Sequence, residues 1–375
     1  MIYLDHLAST PLDPLVLEAM LPWMRPDAVG NPHAAHPAGW RAADAIEQAR
    51  ADIAALAGAR PGEVIFTSGA TEANSLALLG GVPAGGGCVV SAVEHASILG
   101  CLPELRRRGS PPTVLPVDGA GRVDPSALDR TLATLPKPTL VSVMAANNEV
   151  GTLQPLAELA RVTDSHGALL HTDAVQALST QALDMAAIGL QGLSLSGHKL
   201  YGPMGIGALI ARPPFRPLPA SSGGGQQRGL RAGTLPTALC VGLGTACRLA
   251  RERREEDARR IAELRDRLWT LLRDRLPGIR RNGPREDGIA GGLAGCLNVT
   301  LPGIDAADLL LDLPDLAIAT GSACHSGAGE PSHVLLAVGL SAADAHASLR
   351  FGLGRTTTMA EVEETVGRLA TLLAG

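Results

Sequence analysis

Short apolar runs alternate with helical stretches along most of this chain, and that alternation limits the fold more than any other feature. The runs at 63–69 (EVIFTSG), 88–95 (CVVSAVEH), 138–151 (PTLVSVMAANNEVG), 168–176 (ALLHTDAVQ), 192–202 (GLSLSGHKLYG) and 205–212 (GIGALIAR) read as strands. Between them lie helical segments: ATEANSLALLGG, then ASILGCLPELRRRG closed by Gly109, then LAELARVTDSHG closed by Gly167. Short apolar runs separated by helices indicate βα units and an α/β fold with a mostly parallel sheet. A long charged stretch follows, RLARERREEDARRIAELRDRLWTLLRDRL, whose acid–base pairs at i,i+4 predict a solvated helix leading into a second domain. Residues 277–375 carry strand (GCLNVTLPG) and helix (DAADLLLDL, MAEVEETVGRLATLLA) signals of a small α+β unit. A chain of 375 residues exceeds one small core. The expected division is a large domain over 15–250 and a small one built from 1–14 and 251–375.

Composition removes several function classes. The net charge of −5 leaves no electrostatic footprint for nucleic acid, and 2% aromatic residues leave few platforms for stacking bases. No window is long and apolar enough for a membrane span, and MIYLDHLASTPLDP lacks the basic start and apolar run of a signal peptide. A cytoplasmic protein is therefore expected. The six cysteines (Cys88, Cys101, Cys240, Cys247, Cys296, Cys324) have no metal-ligand spacing, so most read as small buried hydrophobes and no resident metal is expected.

Four stretches carry chemistry. In TSGATEANS (67–75) a strand ends, a glycine turns and a helix opens, which suits a phosphate, although Thr71 and Ser75 read equally as plain N-caps. In HTDAVQ (171–176), Asp173 stands at a strand's C-terminal end, the edge where α/β sheets bind ligands; a helix cap is the plainer reading. In SLSGHKLYGPMG (194–205), Lys199 is one of only two lysines among 32 basic residues. The other, Lys137, sits between two prolines and reads as exposed loop. Lys199 follows an apolar strand, and desolvation makes a lysine amine available for Schiff-base chemistry; a snorkelling surface lysine is the alternative. In AIATGSACHSGAGEPSH (317–333), Cys324 sits in a glycine-rich loop, a setting for an accessible, reactive thiol.

A buried lysine, an aspartate at a strand end and a helix start that grips phosphate together match what pyridoxal 5′-phosphate requires. At this point the sequence resembles the cysteine desulfurases, class V members of the pyridoxal-phosphate-dependent aminotransferase superfamily with the type I fold. The resemblance spans YLDHLASTP (3–11), GNPHAAH (30–36), FTSGATEANSLA (66–77), EHAS (94–97), NNEVGTLQP (147–155), HTDAVQ, SGHKLYGP, GGGQQRGLRAGT (223–234), TGSACHSG (320–327) and SLRFGLGR (348–355). It implies that Lys199 is the Schiff-base lysine and that Asp173 pairs with the pyridine nitrogen. His95 would stack on the ring and carry protons. Ala70, Thr71, Ser196 and His198 would hold the phosphate, with Thr234 reaching the phosphate of a second subunit in a homodimer. Asn148 and Gln176 would contact the cofactor, Gln176 at its phenolic oxygen. Arg350 would grip the substrate carboxylate, with Asn148 beside it, and Cys324 would accept sulfur in the manner of the group with a long mobile cysteine loop.

The activity so implied is removal of sulfur from L-cysteine, giving L-alanine and a persulfide on Cys324. That sulfur would pass to an acceptor protein in iron–sulfur cluster assembly or in thiolation of cofactors or tRNA, and a cluster would meet Cys324 only transiently. A selenocysteine lyase, or another class V lyase or transaminase, is the second reading. Two departures stand out. The sequence ends at Gly375 without the C-terminal tail with which many relatives dock a scaffold protein, and Met204 stands where relatives usually carry lysine.

Overall fold

The computed structural model of the protein describes residues 1–219, 221–286, 288, 292–320 and 330–374. Strand β1 (Ile2–Tyr3) opens the chain. Seven strands then form the large sheet: β2 (Val64–Thr67), β3 (Gly87–Ser91), β4 (Thr113–Leu115), β5 (Thr139–Ser142), β6 (Leu169–Asp173), β7 (Gly192–Ser196) and β8 (Gly207–Ala211). Their order is β2-β8-β7-β6-β5-β3-β4. Neighbours from β4 through β7 pair in parallel, while β8 runs antiparallel to both β7 and β2. Every residue of β3, β5, β7 and β8 is buried, as expected where helices cover both faces of a sheet.

The remaining strands are β9 (Arg280–Asn282), β10 (Cys296–Thr300), β11 (Leu316–Ala317), β12 (Ala319–Thr320) and β13 (Ser348–Gly352). A four-stranded antiparallel sheet has the order β12-β13-β10-β9, and β1 pairs in parallel with β11. The first residues of the chain therefore pack with the last hundred. The charged stretch forms one helix, Thr237–Arg275. Its early residues Cys240, Leu243, Ala246 and Cys247 belong to the core under the large sheet. Its later residues Ile261, Leu264, Leu268 and Leu272 belong to the core of the small sheet. The division expected between 250 and 251 thus falls inside a continuous helix.

One predicted helix is interrupted. ASILGCLPELRRRG folds as Ala96–Leu99 and Leu102–Arg107, with Pro103 in the first turn of the second piece, where its missing N–H costs nothing. Lys137 is exposed, in line with its flanking prolines. Cys88, Cys101, Cys240, Cys247 and Cys296 are buried free thiols. Among the described residues no helix is long and apolar enough to cross a membrane, and no group of His, Cys, Asp or Glu is arranged to hold a metal ion.

Candidate active site

The C-terminal ends of β6 and β7 and the start of the helix Ala70–Gly81 face one cavity of about 610 Å³. Its lining includes Ala70, Thr71, His95, Asn148, Asp173, Gln176, Ser196, His198, Lys199 and Arg350, so ten of the residues singled out in the sequence converge here from six separate segments. Thr234 is exposed and lies outside this lining. Cys324 lies outside the described residues.

The helix start is shaped by close packing. Gly69 is its N-cap, with no side-chain cap bond, so Thr71 stands in the first turn and is not a cap. The orphan amides of that turn adjoin the cavity, an arrangement that attracts an anionic group. Gly207 at the start of β8 makes this possible: a Cβ there would lie 2.5 Å from the Leu195 carbonyl and 2.8 Å from the Gly69 Cα. Glu72 holds the turn from outside, accepting from the Ser68 amide at 2.5 Å and pairing with Arg231 at 2.9 Å.

Lys199 sits on the single 3₁₀ turn Gly197–Lys199 that follows β7. Its Nζ donates to the carbonyls of Leu7 (2.5 Å) and Ala8 (2.8 Å), so the half-buried ammonium is held inside the cavity and does not snorkel to the surface. Tyr201 ends the turn at φ 60°, a left-handed conformation that costs a side-chain-bearing residue about 1–3 kcal/mol. Three bonds over-determine it. Tyr201 N donates to Thr10 Oγ1 (2.8 Å), its carbonyl accepts from Asp13 N (2.9 Å), and its hydroxyl accepts from Arg355 N (2.7 Å). The lysine's turn is thereby clamped between the N-terminal segment and the small sheet's last connection. His198 beside it is pushed down to about 4, first by burial and then by the Lys199 charge, and is neutral at pH 7.

Asp173 is 5% exposed at the end of β6. Its Oδ2 accepts from Asn74 Nδ2 (2.7 Å) and its Oδ1 from the Val175 amide (3.0 Å), both neutral donors. The second bond does cap the turn after the strand, but a buried carboxylate with neutral donors alone still favours a cationic partner. A protonated pyridine nitrogen is such a partner. Together with the lysine and the helix start, this carboxylate makes the residues fit pyridoxal phosphate. Asn74 and Ser97, which also border this region, were not among the residues singled out in the sequence, although both stand within the quoted stretches TSGATEANS and EHAS.

Two further features hold the cavity's outer side. Arg350, 2% exposed on β13, donates to the Asn148 carbonyl (3.1 Å) and to Asp5 Oδ1 (2.8 Å). Gln176 Nε2 donates to the Leu7 carbonyl (2.9 Å), the same acceptor that Lys199 uses. Behind His95, the fully buried Glu94 is pushed up to about 8, chiefly by burial and also by the nearby Asp173 charge, and Glu149 is pushed up by burial to about 7. A carboxyl raised in the folded state stabilises that state fully below its unfolded value and loses the contribution as pH rises through the folded value. Below about pH 6.5 the buried His171 and His198, lowered to about 3 and about 4, act in the opposite sense, so urea unfolding of the wild type should show stability falling between about pH 6.5 and pH 8. Glu94→Gln, which keeps the shape and the neutral state, should flatten the upper part of that fall and leave the share of Glu149. An unchanged slope would mean that Glu94 is ionised in the fold.

Comparison with known proteins matches this architecture. The family model described as aminotransferase class V covers residues 2–365. A cysteine desulfurase of Rattus norvegicus is 43% identical over 373 residues, covering 97% of this chain and 81% of that protein. The cysteine desulfurase IscS of Rickettsia bellii is 41% identical over 372 residues, covering 97% and 89%. Among solved structures, a NifS-like protein from Rickettsia africae superposes with a TM-score of 0.90 at 31% identity, covering all of both chains. SspA in complex with cysteine superposes at 0.81 and 34% identity, covering 96% and 100%. The chain belongs to the aminotransferase class V family.

Proposed function

We propose that this chain is a cysteine desulfurase, using pyridoxal 5′-phosphate to take sulfur from L-cysteine onto Cys324 and to leave L-alanine. The observation that carries the reading is the single cavity in which Lys199, the buried Asp173 carboxylate and the opening turn of a helix face one another. The names borne by its relatives support the choice of substrate. Bound there, the cofactor ring supplies an electron sink for negative charge developing at the substrate Cα.

The chain's own residues do the rest. Asp173 fixes the ring nitrogen, and Ala70, Thr71, Ser196 and His198 hold the phosphate. Gln176 and Asn148 border the ring. Arg350 receives the substrate carboxylate, for which its planar fork is suited. Lys199, once its amine is free, takes the Cα proton, and His95 moves a proton between the substrate thiol and Cys324. The Cys324 thiolate then forms an S–S bond to the substrate sulfur while the substrate C–S bond breaks. The bonding pair stays on carbon, which is protonated to give alanine.

Residues 15–250 form the cofactor-holding domain in this reading, and 1–14 with 251–375 the small domain. The enzyme acts as a cytoplasmic homodimer in which the exposed Thr234 completes the phosphate site of a second copy. The persulfide sulfur goes to an acceptor protein of the iron–sulfur or thiolation type. The test is direct. Protein supplied with pyridoxal phosphate should be yellow, borohydride should fix the cofactor to the peptide containing Lys199, and L-cysteine should yield equal amounts of alanine and, with a reductant, sulfide. Protein that stays colourless in excess cofactor would overturn the reading.

A further inference from the structure

Asn74 is fully buried on the helix Ala70–Gly81, and its Nδ2 lies 2.7 Å from Asp173 Oδ2 and 2.9 Å from Ser97 Oγ. The carboxylate fixes which way this amide faces. Turned round, the amide would set its oxygen against the Asp173 oxygen, two acceptors in contact. Both amide hydrogens are thus committed, one to Asp173 and one to Ser97. The orientation is held firmly enough that Asn74 Oδ1 is left buried without a hydrogen-bond partner. Ser97 Oγ, having accepted from Asn74, directs its own hydrogen elsewhere, and His95 Nδ1 stands 2.9 Å away. The Ser97 amide also donates to that nitrogen at 3.1 Å. A ring nitrogen that receives two donors is bare, so the hydrogen of the neutral imidazole resides on Nε2.

We propose that Asn74 and Ser97 are positioning residues that carry the orientation set by Asp173 across to His95 and hold His95 as the Nε2–H tautomer within the cavity. This rests on the reading of the cavity given above, since it assigns the pair its purpose: the carboxylate that would pair with the cofactor's ring nitrogen and the proton carrier His95 are set by one chain of hydrogen bonds. His95 then has one defined proton-bearing nitrogen, where a free imidazole would divide between two.

Nitrogen-detected correlation spectra of the ¹⁵N-histidine-labelled full-length chain, with and without pyridoxal phosphate, report the tautomer. The wild type and Ser97→Thr, which keeps the hydroxyl, should both show a bare Nδ1 and a protonated Nε2 at His95. Ser97→Ala and Asn74→Ala, in which the Ser97 amide is left as the sole fixed donor to Nδ1, should show a detectable fraction of the Nδ1–H tautomer that the wild type lacks, with kcat on L-cysteine down about threefold and KM within about twofold of wild type. Wild-type nitrogen shifts in both alanine variants, or a protonated Nδ1 in the wild type, would overturn the proposal. Should Asn74→Ala fail to fold, the Ser97→Ala and Ser97→Thr pair decides it. The spectrum of the chain without cofactor is independent of whether the enzyme is a desulfurase. A colourless, inactive protein with a locked His95 would defeat the function and leave the hydrogen-bond assignment standing.

Discussion

Lys199→Ala protein is expected to retain its fold and to lose at least about 10³-fold in the rate of alanine formation from L-cysteine. The loss is large because one amine has two tasks, covalent attachment of the cofactor and proton transfer at the substrate Cα. Arginine cannot take over. Lys199→Arg should be as inactive as the alanine variant, because a guanidinium stays protonated where an ammonium gives up its proton. No second lysine stands near, since Lys137 is exposed in a distant loop. The fold should survive because Lys199 is half-buried, its bonds to Leu7 and Ala8 end on backbone carbonyls, and Leu7 keeps the bond from Gln176. Borohydride should no longer fix the cofactor to the chain. Near-wild-type alanine formation by Lys199→Ala would remove the lysine from the chemistry and leave the cavity without its nucleophile.

Much of this arrangement was legible in the sequence because its signals are local. An apolar run ending in Thr-Asp or Ser-Gly-His-Lys marks both a strand and the sheet edge where a ligand binds, so Asp173 and Lys199 declare position and chemistry together. Gly69 between strand and helix marks a turn in the same way. The interrupted helix at Gly100–Pro103 was present as residue types, but the periodicity on either side continued across it. The links between segments were not legible. Asn74 and Ser97 are ordinary helix residues until β6 brings Asp173 against one and the turn after His95 presents the other, because a hydrogen bond across 23 or 99 positions has no local pattern. The same holds for the clamp on Tyr201, which joins Thr10, Asp13 and Arg355 from opposite ends of the chain. The antiparallel placement of β8 follows from its short connection to β7, an inference that apolar pattern alone does not supply.

Cys324→Ser should bind pyridoxal phosphate with the wild-type colour and yet release sulfide from L-cysteine at least about 100-fold more slowly. A serine hydroxyl is far less nucleophilic toward sulfur than a thiolate, so the S–S bond that relieves the substrate of its sulfur cannot form. No other cysteine is suited to replace it. Cys88, Cys240 and Cys296 are buried with thiols pushed up to about 12, and burial raises Cys101 and Cys247 as well. Cys296 Sγ donates to the Glu149 carbonyl at 3.4 Å, but this cysteine is 4% exposed and protonated at any physiological pH. The flanks of the Cys324 segment are anchored at the cavity. Ala319 in β12 pairs with Arg350 in β13, Ser332 donates to the Glu149 carboxylate, and His333 Nε2 bonds the Glu94 carbonyl next to His95. Mass spectrometry of the wild type after brief exposure to L-cysteine should find added sulfur on the peptide containing Cys324 and on none of the buried five. Sulfide release by Cys324→Ser at the wild-type rate would transfer the acceptor role to another nucleophile while leaving that of Lys199 intact, so the two substitutions separate the cofactor half of the reaction from its sulfur half.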